Sequence, residues 1–372
     1  MIKQSWKNIM GIGILGFATM KYYAPFFGFS GFTKYMMLLS LLMSTIMIVT
    51  SFRKYNLIHL LLLGIFGIQF LLSKNITMVY TYYLCLALFT VDFRFIMKWF
   101  IIINAILFSI FMITNVLGIN PTEYLEGRND FGFGNPNTAF ISMFIIWSSF
   151  FYYIFYSEKK IDYILLISMI FLMYTQTMTR TGLLTAVMTL LAFFILKSVD
   201  VRKKYFKIFT TAFPVLMTLF SLVITLFFSE NYLINKILSH RPVYWRAYLL
   251  HPSKGINLVG YPPIIRDILF TQRMPLDSGY IWSLYSLGII TFLILLFLIC
   301  YTLYNLCKEN KKDQIMLMVS ILIYCFAESI MLDLTTNIGI VLIIYGISKM
   351  KVKSFETIIL SRKKLKSGRF ED

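Results

Sequence analysis

Chemistry in this chain concentrates in Ser239-His240-Arg241-Pro242-Val243-Tyr244-Trp245-Arg246, where two guanidiniums and an imidazole stand among aromatic rings. A guanidinium is a planar fork that grips phosphate bidentately and keeps its charge when partly desolvated. The segment therefore points to an anionic ligand. Arg241 and Arg246 are five apart, roughly one and a half helical turns. On one short helix they face different sides, and both reach one ligand only if it wraps or bridges. Trp245 and Tyr248, three apart, share a face suited to the bilayer interface or to stacking on a sugar.

Two further arginines stand at positions that simple topology disfavours. Arg180 is the tip of a tight hairpin in Thr175-Gln176-Thr177-Met178-Thr179-Arg180-Thr181-Gly182, between two apolar stretches with almost no loop. At membrane depth an arginine costs about 2.5–3.5 kcal/mol on insertion scales, so it snorkels, pairs or functions there. The threonines around it suit bonds to helix carbonyls or a polar cavity wall. Arg128 lies in Gly127-Arg128-Asn129-Asp130-Phe131-Gly132-Phe133-Gly134-Asn135-Pro136-Asn137. Asn135-Pro136 initiates a turn, and Asn137 or Thr138 is placed to cap the next helix, whose free N–H groups beside Arg128 and Asn135 suit a phosphate.

Proton transfer has fewer candidates. Asp277, His240 and His251 are the nearest titratable groups, with Asp277 favoured as base. Asp277-Ser278-Gly279 reads equally as a helix N-cap, and the Asp277 carboxylate could instead hold Arg273. Glu328 stands about a turn from the outer end of an apolar stretch and needs a partner, which one of the outer arginines could supply, as for Asp333. Arg266 and Arg273 complete the outer set. There is no Asp-x-Asp or His cluster for a metal and no Gly-rich nucleotide loop, so neither metal nor cofactor is expected.

These residues must be held by membrane helices. The 372-residue chain is 58% apolar and only 14% charged, against about 45–50% and about 25% in ordinary soluble domains. Roughly 20 apolar residues cross the hydrocarbon core, and the backbone there must be helical. The expected fold is all-α and polytopic, with about twelve spans: 8–28, 35–51, 57–73, 76–91, 99–117, 137–156, 162–178, 181–197, 206–228, 279–304, 314–332 and 334–348. The whole of 1–372 reads as one integral-membrane domain. Residues 229–278 form a large, partly helical loop within it, and 349–372 form a basic tail. The first apolar stretch lacks a small-residue cleavage site and reads as a retained span.

Charge sets the orientation, because Lys and Arg mark the cytoplasmic side of short loops. With the N-terminus inside, 24 of 35 basic residues fall on cytoplasmic segments, Lys21 falls within the first span, and ten lie outside. Both termini are thus expected in the cytoplasm. Arg supplies five of the 24 inner bases but six of the ten outer ones. The net charge of +18 would suggest nucleic acid in a soluble protein. Here it flanks spans and contacts anionic lipid, so no nucleic-acid partner is expected. Cys85, Cys300, Cys307 and Cys325 have no metal-ligand spacing and no outer pair, and read as packing residues.

Thr179-Arg180-Thr181-Gly182, then Arg241-x-x-Tyr244-Trp245-Arg246, then Leu276-Asp277-Ser278-Gly279-Tyr280 running into Leu287-Gly288-Ile289-Ile290, resembles the Wzy-type polysaccharide polymerase and O-antigen ligase superfamily. The resemblance covers about Gly127 to Phe297. It implies a C-type glycosyltransferase of the cytoplasmic membrane, working at the outer face on undecaprenyl-diphosphate-linked glycans. Membrane lipids and other polysaccharide-assembly proteins are the further partners it suggests. Asp277-Ser278 stands where the ligases carry His-Asn, which favours polymerase over ligase. Under that resemblance Arg180, Arg241 and Arg246 bind diphosphate and stabilise the leaving group, with Arg128 in support. Asp277 or His240 serves the acceptor hydroxyl, and Tyr244, Trp245, Asn135, Asn137, Arg266, Arg273 and Glu328 line the substrate site. A flippase for lipid-linked oligosaccharide is the competing class, and it predicts related halves that the chain does not display.

Overall fold

The computed structural model describes residues 2–125, 127–270 and 274–350, with the side chains of 2–4, 266 and 267 outside that description. The basic tail beyond residue 350 and Arg273 therefore lie outside the described residues, as does the Arg266 side chain. The chain is almost wholly helical: α1 (Ile2–Tyr23), α2 (Phe32–Thr50), α3 (Leu57–Ser73), α4 (Thr77–Leu88), α5 (Phe93–Val116), α6 (Pro136–Ile154), α7 (Lys160–Thr177), α8 (Arg180–Ser198), α9 (Lys204–Phe227), α10 (Tyr232–Ile237), α11 (Arg241–Leu249), α12 (Ile265–Ile268), α13 (Gly279–Lys308), α14 (Lys312–Tyr324) and α15 (Val341–Ser348). A two-residue hairpin pairs β1 (Tyr124–Leu125) with β2 (Arg128–Asn129), Leu125 opposite Arg128.

Six helices, α2, α5, α6, α8, α9 and α13, are long and apolar enough to cross a membrane, and α3, α4 and 338–348 are shorter apolar helices. The distribution of side chains fits a lipid surround. Helix α7 turns Ile164, Leu165, Ile167, Phe171 and Leu172 outward, while Thr185 and Thr189 of α8 are buried. Those hydroxyls donate to carbonyls of their own helix, Thr185 to Thr181 at 3.0 Å and Thr189 to Thr185 at 2.7 Å. A hydroxyl satisfied in this way needs no partner on a neighbouring helix. α1 packs along α2, α9 along α13 and α8 along α14, which brings chain-distant helix ends into register.

Three of the expected spans, 279–304, 314–332 and 334–348, are not continuous helices. The stretch 314–332 is helical only to Tyr324, and the irregular segment 325–337 that follows is buried almost throughout. Its backbone is satisfied from inside the protein: Thr81 donates to Leu332 O at 2.6 Å, Asn337 to Met331 O at 2.7 Å and Thr336 to Ile330 O at 3.2 Å, while Thr335 ties the segment to Ala18 O at 3.1 Å. Non-helical chain at membrane depth is tolerated only in such surroundings. Hydropathy cannot see this, because Ile330, Met331 and Leu332 are as apolar as any span.

α13 is interrupted at Gly288, whose φ of 79° and ψ of 165° belong to a region essentially reserved for glycine. Residues 257–261 of the large loop enter the break. Ile289 and Ile290 donate to Asn257 O and Leu258 O at 3.0 and 3.2 Å, and Tyr261 N donates to Ser286 O at 3.2 Å. Fully buried Asn75 clamps the junction from just beyond α3, donating to Tyr261 O at 3.0 Å and Ser286 O at 3.1 Å. Gln69 adds a bond to Val259 O at 3.2 Å. The loop is thus built into the helical bundle.

Candidate functional site

The hairpin tip is formed by the end of α7 and the start of α8. Met178 closes α7 in the left-handed conformation, Thr179 begins the next helix, and Arg180 is its first residue. Gly182 allows this start to lie against α6: a Cβ there would stand 2.8 Å from the Phe140 ring and 2.5 Å from Thr179 Oγ1. Arg180 is exposed and makes no hydrogen bond or ion pair among the described residues.

The start of α6 lies at the same end. Asn135, rather than Asn137 or Thr138, is the N-cap, accepting from Asn137 N at 2.8 Å. Pro136 explains the shift, since its fixed φ and missing N–H suit the first helical position. The preceding loop is organised by Asp130, a residue the sequence reading passed over. It is buried, and its Oδ1 accepts from Glu123 N at 2.8 Å and Gly132 N at 2.9 Å. Acid followed two residues later by glycine is an Asx-turn signature that could have marked it.

α11 begins after Ser239 and His240, both in the left-handed region at φ of 53° and 61°. Six non-glycine residues among those described have positive φ, and three of them, Met178, Ser239 and His240, line one cavity. Strained backbone gathered in this way is expected of a working site.

That cavity has a volume of about 1260 Å³. Its walls bring together Arg128, Asn135, Asn137, Arg180, His240, Arg241, Tyr244 and Asp277. Eight of the expected site residues, scattered over 150 positions of chain, thus meet in space. The starts of α6, α8 and α11 also reach it, so the positive ends of helix dipoles add to the guanidiniums, while at α6 the Asn137, Thr138 and Ala139 N–H groups are already bonded to Asn135. The cavity favours anions.

Arg241 differs from the other two arginines. It is buried, and its Nη2 lies 2.7 Å from Glu328 Oε1 and 3.3 Å from Asp277 Oδ2, while Nη1 donates to the Ala327 carbonyl. Burial disfavours its charge, but Glu328 and Asp277 reverse that effect and hold its pKa above the ordinary guanidine value. Its fork is largely committed to protein groups. It holds the half-exposed Asp277 at the cavity wall, with Glu328 behind.

Other expectations need correction. Glu328 does not line the cavity, because Arg241 stands between. Arg246 points away to Glu230 and to Ser229 at 3.2 Å, as five-residue spacing on a helix dictates. Trp245 and Tyr248 face neither lipid nor sugar. Both are fully buried, Trp245 edge-on to Phe326 and Tyr248 against Phe270 and Tyr285, because the irregular segment and α13 fold over that side of α11. His251 serves its own turn, its Nδ1 facing Lys254 N at 3.2 Å. Ser278, not Asp277, caps α13, and Asp333 caps a turn by accepting from Thr335 N at 2.9 Å. All four cysteines are free thiols.

No protein-family model, curated protein or solved structure matches this chain. The site is therefore interpreted from its own chemistry. Among the described residues no group of acids, histidines and cysteines is placed to hold a metal ion. What the arrangement can do is bind an anion on Arg128, Arg180 and helix N-termini while presenting one carboxylate beside it.

Proposed function

We propose that this protein is a polysaccharide polymerase of the membrane-embedded, C-type glycosyltransferase kind. It transfers a growing undecaprenyl-diphosphate-linked glycan onto the non-reducing end of a new lipid-linked repeat unit. The observation that carries the reading is the meeting of Arg128, Arg180 and Asp277 in one cavity, with Asp277 held by Arg241.

The acceptor hydroxyl attacks the anomeric carbon of the donor, the C–O bond to diphosphate breaks, and the diphosphate leaves with the bonding pair. Arg180 and Arg128 stabilise the negative charge as it grows on the leaving oxygen, aided by the starts of α6 and α8. Asp277 orients the acceptor hydroxyl and takes its proton. One displacement of this kind inverts the anomeric centre.

The reading assigns the twelve apolar segments to twelve spans, with the cavity on the outer face of the cytoplasmic membrane and both termini inside. Charge supports the sidedness. α6, α8 and α13 begin at the cavity, and the basic residues Lys159, Lys160, Lys197, Lys308 and Lys312 cluster at the opposite ends of the bundle.

Purified protein in liposomes, given only lipid-diphosphate repeat units, should form a ladder of longer lipid-linked glycans. Movement of unextended substrate between leaflets would identify a flippase instead, and dependence on a distinct acceptor a ligase.

A further inference from the structure

A second concavity of about 300 Å³ lies beside the anionic site. Tyr23 and Ala24 at the end of α1, Phe27, Phe32 and Met36 toward α2, and Leu107 of α5 form its walls, which offer no polar surface. Tyr23 and Ala24 are buried at its floor, whereas Phe32 is exposed at its mouth, so it opens sideways from the helices.

The partition between this groove and the cavity is one aromatic layer thick. Phe26 and Phe133 line the cavity and pack on each other with ring centres 5.0 Å apart. Tyr23 lines the groove and packs on that same Phe133 at 6.3 Å. Phe27, also on the groove, packs on Phe111, which lies 4.1 Å from Phe133. The anion-binding chamber and the wholly apolar groove thus lie on opposite sides of one packed aromatic partition. A ligand that fills both has a strongly charged head and a hydrocarbon chain.

Resting on the polymerase reading, we infer that the groove holds the phosphate-proximal isoprene units of the polyprenyl-diphosphate-linked donor. Its volume is at the lower end for small-molecule sites, enough for the first part of a chain whose remainder lies in lipid. Two guanidiniums and several helix starts in the adjoining cavity suit a diphosphate better than the single charge of a phosphodiester lipid. The groove would set the depth of the diphosphate and select lipid-linked over chain-free diphosphates, independently of the sugar.

The test is equilibrium binding of sugar-free diphosphates to the purified full chain in detergent, comparing undecaprenyl diphosphate with inorganic diphosphate. Met36→Trp fills the groove, and Phe32→Ala, at an exposed position, removes part of its mouth with little risk to the fold. Each should weaken the long-chain ligand on the order of ten-fold, the loss expected for roughly two methylenes of buried contact, and leave inorganic diphosphate unchanged. Unchanged undecaprenyl diphosphate binding in both variants overturns the inference. So does equal weakening of both ligands, or displacement by phosphatidylglycerol as effective as by unlabelled undecaprenyl diphosphate. Because no glycan is involved, groove-dependent binding without ladder formation would reject the polymerase and keep the groove. Ladder formation with groove-independent binding would do the reverse.

Discussion

Arg180 separates chemistry from folding more cleanly than any other residue of the cavity. It is exposed, starts α8, and makes no ion pair among the described residues, so its removal leaves no buried charge behind. Stability should move by no more than about 0.5 kcal/mol, a Tm change within about 2 °C. Activity should respond very differently. If Arg180 meets charge that grows on the leaving diphosphate, Arg180→Ala removes one preorganised donor and should lower the rate of ladder growth by about 10²–10³. Arg180→Lys keeps the charge but loses the fork. The missing charge-assisted hydrogen bond is worth about 1.5–3 kcal/mol, or about 10–150-fold in rate. The assay is initial rate of chain growth in liposomes at saturating donor, with Tm followed on the same samples. The loss should fall on kcat. Wild-type turnover in Arg180→Ala would refute the assignment. A Tm fall beyond about 5 °C in that variant would show instead that Arg180 supports the fold.

Glu328→Ala leaves buried Arg241 with Asp277 as its remaining carboxylate at 3.3 Å. Thermal unfolding should reveal a loss of about 3 kcal/mol or somewhat less, the lower end for breaking a buried pair, and an unchanged Tm would deny the triad its structural role. Gly182→Ala places a methyl 2.8 Å from Phe140 and should cost about 1–3 kcal/mol by overpacking. Because it shifts the start of α8, chain growth should fall even at temperatures where the variant is folded. Gly288→Ala sets a Cβ 2.4 Å from Gly260 N and 2.5 Å from the Leu258 carbonyl. It should expel residues 257–261, read as faster limited proteolysis within that segment, and unaltered protease resistance would argue against the insertion.

Hydropathy located helices because long apolar runs admit little else, and it placed Arg180 at a hairpin tip because two such runs abut there. Helical spacing also separated Arg241 from Arg246, since five residues cannot share a face. The burial of Trp245 and Tyr248 was not legible. It depends on a partner surface, Phe326 and Tyr285, that arrives from chain more than 35 residues later. Residues 325–337 escaped for a related reason: their irregular path depends on bonds from Thr81 and to Ala18 O that no local pattern announces. Arg241 illustrates the remaining difficulty. Its residue type suggested ligand binding, but only the approach of Glu328 and Asp277 reveals that its fork holds protein carboxylates.

The entry of residues 257–261 into the break at Gly288 has a consequence for biogenesis. The acceptor carbonyls of Asn75 lie up to 211 residues later in the chain. At about 5–20 residues per second of synthesis, the Asn75 amide is made roughly 10–40 s before they exist. Until then the turn between α3 and α4 carries an amide without its native acceptors, and water, the insertion machinery or a neighbouring helix must satisfy it. The early helices of this chain are thus assembled in a provisional state, and the late loop completes them.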